Sequence, residues 1–355
     1  MLLDEYANNS GGVDMGEMTP KKRALLCVTG NKERADRISL CPVITTVTVD
    51  QMNAVNAHWP EANRDPELNF QLAAAAWEVA GIEGFKVPFD VCIEAEALGS
   101  EVNWGRIDRN PSVASHPIKE LGALRVPENL MEMGRFPMKH SVIEKLHRKY
   151  GDTVPIVNQV IGPMSLAGHL FGIEQFCIWI KKKPVEQVRE ALMHIADINI
   201  MDARRSLCMG ADIISIGDPS ATSDILSPEF FRDVMVPVYK YIASKVASPC
   251  TLHICGNTMA YLPYLPDSNI DLISVDAQVD LGFAKSILGK KVALGGSIPT
   301  ISALLFGTPK QVTDAAIHSI KSGVDVLMPA CGIPPRTSLE NIRAMVNVAK
   351  CMVYQ

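Results

Sequence analysis

Short apolar, β-branched runs recur along this chain, each closed by a polar or Gly/Pro cluster and followed by a helical stretch. From residue 40 onward there are eight, at 42–49, 84–89, 154–161, 211–216, 249–254, 272–275, 292–295 and 324–328. Segments such as Ile213-Ile214-Ser215-Ile216 are near-continuously apolar, the pattern of a parallel strand covered on both faces. Eight such strands parted by helices predict an α/β chain folded as a closed (β/α)8 TIM barrel. The alternative, an open doubly wound sheet, wants a Gly-rich phosphate loop after an early strand, and neither G-x-G-x-x-G nor a P-loop occurs.

The helices are legible from caps and period. Thr19-Pro20 opens one carrying Lys21 to Thr29, an N-terminal helical extension ahead of the barrel. Others are expected at 140–150 and 184–210, from Ser227-Pro228-Glu229 to about residue 245, and after Thr308-Pro309 and Ser338. Residues 1–18, polar and rich in Gly and Asn, read as a flexible tail before one domain spanning 19–355. The interval 90–152 is an insertion placed to shape the pocket mouth.

Composition narrows the function classes. Of 355 residues, 47% are hydrophobic and 21% charged, enough for a large aliphatic core and too apolar for disorder. A net charge of −5 lacks the basic excess of nucleic-acid binders, so no nucleic-acid partner is expected. No apolar run nears the roughly 20 residues of a membrane helix, and the N-terminus has no basic, apolar leader. A cytoplasmic protein is expected, and nine cysteines, an odd number without regular spacing, agree with a reducing compartment.

In a parallel barrel, chemistry gathers at the C-terminal strand ends. The fifth run ends His253-Ile254-Cys255-Gly256, and positions i and i+2 share a strand face, so imidazole and thiol project together. The eighth is followed by Cys331-Gly332-Ile333-Pro334, which brings a second thiol to the same rim. One His and two Cys form a zinc triad that leaves a fourth position for substrate. The other seven cysteines read as structural. Asp90, Asp218 and Asp276 also end strands; each is a candidate fourth ligand, a partner for the second nitrogen of His253, or a loop cap. Asn158, Gln159 and His169 are candidate pocket residues.

At these residues the chain resembles the uroporphyrinogen decarboxylase superfamily, and within it the methylcobamide:coenzyme M methyltransferase branch. The likeness runs through Phe89-Asp90-Val91, Gly162-Pro163-Met164-Ser165, Gly295-Gly296-Ser297-Ile298-Pro299 and Cys331-Gly332-Ile333-Pro334-Pro335-Arg336-Thr337. Where the decarboxylases carry Arg-Gln-Ala-Gly-Arg for substrate carboxylates, this chain reads Val49-Asp50-Gln51-Met52-Asn53-Ala54, without arginine. The resemblance implies zinc on His253, Cys255 and Cys331, and methyl transfer from a methylated corrinoid to a thiol such as coenzyme M. It also implies catalytic roles for Asp90 and Asp218, and cofactor contacts for His169 and Arg336. The corrinoid-binding signature Asp-X-His-X-X-Gly is absent, so a partner protein is expected to carry the methylcobamide. The competing readings are a porphyrinogen-type decarboxylase and a corrinoid-protein docking module without turnover.

Overall fold

The computed structural model describes residues 17–353. Among them, nine strands form two sheets: β1 (Phe85–Val87), β2 (Val102–Asn103), β3 (Ser112–Val113), β4 (Ile156–Ile161), β5 (Ile213–Gly217), β6 (Cys250–Ile254), β7 (Leu272–Val275), β8 (Ala293–Ile298) and β9 (Val326–Pro329). Seven are parallel in the order β1-β4-β5-β6-β7-β8-β9, and β2 and β3 make an antiparallel hairpin within the insertion. This is the curled parallel sheet of a TIM-type barrel, with helices on its outer face.

Seven of the eight expected strands form. The first does not: 42–49 is irregular, and the gap between β9 and β1 is filled just upstream of it. Ser39 makes a single parallel bridge to Val326, and Leu327 N–H donates to Ser39 O at 2.9 Å. On the other side, Glu83 N–H donates to Leu40 O at 3.1 Å. Pro42 has no N–H for a ladder, and Thr48 turns the chain into helix Val49–Val55 with a capping box to Gln51, so 42–49 has no length left for a strand.

Alternation sorts the strand residues. Ile214, Ile216, Leu252, Ile254, Ile273, Val275 and Leu294 face outward into the main core, built with helices that include Pro163–Phe171 and Val185–Cys208. Val157, Ile213, Leu272, Ala293, Val326 and Met328 face inward and meet Ala24, Cys27 and Val28 of helix Pro20–Val28. That helix, capped by Thr19 with Pro20 in its first turn as expected, plugs the N-terminal end of the barrel. The fully buried Arg23 anchors it through Asp36 at 2.7 Å, Glu83 at 3.0 Å and Met18 O at 2.7 Å. Removing one partner of so buried a charge costs about 3–5 kcal/mol.

Met18, the last residue of the expected tail, is buried; residues 1–16 of that tail lie outside the described residues. The helices expected at 140–150 and 184–210 appear as Phe136–Tyr150 and Val185–Cys208. No helix among the described residues is long and apolar enough to cross a membrane.

Candidate metal centre

The end of β6 builds most of the site. His253 lies level with Gly217 of β5 and Ser274 of β7, and points into the barrel. Its Nδ1 sits 3.1 Å from Ser274 Oγ, which leaves Nε2 for the mouth. Cys255 Sγ is 3.4 Å from that Nε2, one strand period further on. Gly256 then takes φ +76°, and a Cβ there would stand 2.9 Å from Thr222 Oγ1, so both the turn and the close approach require glycine. Its N–H is held by Asp276 Oδ2 at 3.1 Å.

Cys331 arrives from the loop after β9, 76 residues on, and its sulfur lies 3.5 Å from Cys255 Sγ. The three ligand atoms all fall within 4.8 Å of one another, the one such His/Cys/Asp/Glu group among the described residues. Tetrahedral zinc with Zn–S of about 2.3 Å and Zn–N of about 2.0–2.1 Å places its donors about 3.5–3.8 Å apart. The observed spacings and the donor set fit that ion. The two thiols are in hydrogen-bond contact: the bond from Cys255 holds Cys331 well below the usual thiol range, against burial and with help from His253, while the same bond and burial push Cys255 up.

Burial acts in the same direction on cysteines elsewhere, where no such bond opposes it. Cys41 and Cys250, fully enclosed, are pushed far above the ordinary thiol range and are packing residues, as expected of them. Cys208 and Cys351 differ from that expectation, since both are exposed at helix ends.

The carboxylates do not hold His253; Ser274 does, a hydroxyl the sequence reading passed over although alternation along β7 points it inward. Asp276 is engaged instead with the backbone of Gly256 and Gln278. Asp90, past the end of β1, is buried and gripped by Arg135 through two bonds of 2.6 and 3.0 Å, and it also caps Cys92 N–H at 2.9 Å. Arg135 further binds Glu96 at 2.6 Å and stacks over Trp104. No local pattern marks Arg135 as Asp90's partner.

Asp218, past β5, is fully enclosed and accepts four hydrogen bonds: Met164 N–H at 3.1 Å, Ser165 N–H and Oγ–H at 2.7 Å each, and Tyr239 O–H at 2.8 Å. Burial raises its pKa and these donors oppose the rise. It fastens the N-terminus of helix Pro163–Phe171, and Gly162 lets that helix approach, since a Cβ there would lie 2.5 Å from Asp218 Cγ.

His169 lies in the last turn of the same helix. Its carbonyl accepts from His116 of the insertion at 2.7 Å, its Nδ1 has no hydrogen-bond partner, and burial followed by His116 draws its pKa down to about 4. Arg336 is exposed and paired with Asp108 of the insertion at 2.5–2.7 Å, which ties the hairpin region to the Cys331 loop. Asn158 and Gln159 are buried on β4, where Gln159 lies over Gly217.

Comparison with known proteins follows this geometry closely. The family described as Uroporphyrinogen decarboxylase (URO-D) matches residues 19–352. The chain belongs to this family. A methylated-thiol–coenzyme M methyltransferase of Methanosarcina mazei is 34% identical, over 95% of this chain and 90% of that protein. The methylcobamide:CoM methyltransferase MtaA of Methanosarcina barkeri is 35% identical, over 94% and 98%. Among solved structures, a methyltransferase from Methanosarcina mazei superposes with a TM-score of 0.90 at 34% identity, covering 94% of this chain and 99% of its own. The URO-D relationship therefore extends over the whole barrel.

Proposed function

We propose that this URO-D family protein is a zinc-dependent methyltransferase that moves a methyl group from a methylated corrinoid, presented by a partner protein, to the thiol of coenzyme M. The observation that carries the reading is the convergence of His253, Cys255 and Cys331 at the barrel mouth. It occurs in a chain matched along nearly its full length by proteins named as coenzyme M methyltransferases.

His253 would hold the metal through Nε2, with Ser274 fixing the ring and its tautomer. Cys255 and Cys331 would bind as thiolates, giving up their protons on metal uptake. When bound, zinc supplies Lewis acidity that lowers the pKa of a coordinated substrate thiol, so that the nucleophile exists at neutral pH. Three protein ligands leave room for that thiol on the mouth side. The rim must then align donor and acceptor in line. Asp218 serves as a positioning residue that fixes the helix after β4, and Asp90 with Arg135 forms a charge-neutral wall. His169 and Arg336 stand as the rim residues that meet the corrinoid. Decarboxylation is disfavoured because Arg135, an arginine at this rim, is already engaged with Asp90 and Glu96.

Elemental analysis coupled to an assay of coenzyme M thiol loss with methylcobalamin tests the proposal. About one zinc per chain and zinc-dependent thiol consumption are expected; turnover by zinc-free protein overturns it.

A further inference from the structure

Lys86 is a charged side chain inside the barrel that the reaction does not use. It projects inward from β1, level with Val157, and is 5% exposed. Its Nζ donates to Thr45 Oγ1 at 2.8 Å and to Pro88 O. Thr45 Oγ1–H in turn donates to Phe89 O at 2.9 Å, so one amine and one hydroxyl stitch segment 42–49 to the end of β1.

That segment in turn holds the loop bearing the third ligand. Ile333 N–H donates to Thr45 O at 2.9 Å, Val49 N–H to Pro335 O at 2.7 Å, and Leu339 N–H to Asp50 Oδ2 at 2.8 Å. His253 is fixed within strand β6 and Cys255 directly follows its end, whereas Cys331 lies in the loop after β9, outside regular structure, and owes its place to such bonds. A methionine would fill the volume of Lys86 without the desolvation cost of an amine, so the contacts of Nζ account for its presence. Burial draws its pKa down to about 7, against the attraction of Asp90 and Glu94 and with the repulsion of Lys139.

We infer that Lys86 is a positioning residue for the metal centre: through Thr45 it sets the place of the Cys331 loop, and so the gap between the two ligand sulfurs. The inference rests on the zinc reading above, and its test separates the two. Lys86→Met and Thr45→Val would be loaded with Co(II) in place of zinc, and the thiolate-to-metal charge-transfer absorption and metal affinity compared with the unsubstituted protein. Amide exchange at Ile333 would be followed in the metal-free chains.

Lys86→Met is expected to weaken the charge-transfer band, lower metal affinity about ten- to a hundredfold, as loss of an outer-shell support does, and speed exchange at Ile333. Thr45→Val should act in the same direction but less, and the double variant should be no worse than Lys86→Met. Wild-type Co(II) spectra in both folded variants overturn the inference, even if exchange quickens. Should Lys86→Met fail to fold, Thr45→Val decides alone. If the unsubstituted protein takes up no Co(II), the zinc reading falls and the metal role of Lys86 with it; unchanged exchange at Ile333 would remove the clamp as well.

Discussion

The floor and the mouth of the barrel are made by the same strands, one alternation apart. At the floor the inward side chains are Val157, Ile213, Leu272, Ala293 and Val326, with Lys86 level with Val157, and they are sealed by Ala24, Cys27 and Val28. One strand period onward they are Gln159, Ser215, Ser274, Gly295 and the still apolar Met328, and at the rim stand His253, Cys255 and Cys331. Cysteine shows what the difference does. Cys41, among apolar neighbours, has no use for its proton chemistry, while Cys331, beside a second thiol and an imidazole, is held toward the thiolate. Polarity rises along the barrel axis, so stability is concentrated at one end and reactivity at the other.

That division can be broken at either end. Cys331→Ser should reduce zinc affinity by at least about a hundredfold, since a direct ligand outweighs the roughly 10–100-fold of an outer partner. Cys41→Ser at the floor should leave zinc content unchanged, and equal losses in elemental analysis would erase the contrast. Ile213→Ala should do the reverse, costing about 2–5 kcal/mol of unfolding free energy in urea titrations while metal affinity stays as it was.

Ser274→Ala, which frees Nδ1 of His253, should weaken metal binding about tenfold, or about 1.4 kcal/mol, by competition with a chelator. The last effect is one of pH and concerns His169. Its folded pKa of about 4 lies below the unfolded 6.5, so the unfolded chain binds more protons between these values, and stability is lost as pH falls from 6.5 to 4. His169→Gln should flatten that slope by about 1–2 kcal/mol, read as the change in urea midpoint between pH 7 and pH 4.5.

Local rules make the candidate metal triad readable. Period two placed His253 beside Cys255, and the barrel's rim logic brought in Cys331 from a distant strand end. Seven strands were readable because each is a near-continuous apolar run between breakers. What escaped depends on partners far apart in sequence. Arg135 reaches Asp90 from a helix start 45 residues away, and Tyr239 reaches Asp218 from the helix between β5 and β6, 21 residues on. The missing first strand escaped because β-branched residues at 43–48 look like a strand whether or not their carbonyls meet a ladder. Here Thr45 O meets a loop.

The plug formed by helix Pro20–Val28 also governs traffic. With the floor shut, a molecule that visits His253, Cys255 and Cys331 comes through the mouth, and a bulky donor standing in it bars the way for a small one. On the methyl-transfer reading the order of events is then dictated by size: the small thiol enters first, the corrinoid closes over it, and the methylated product leaves only after the corrinoid has withdrawn. Steady-state kinetics should show compulsory order with the thiol leading, and an excess of docked corrinoid should inhibit by trapping product inside.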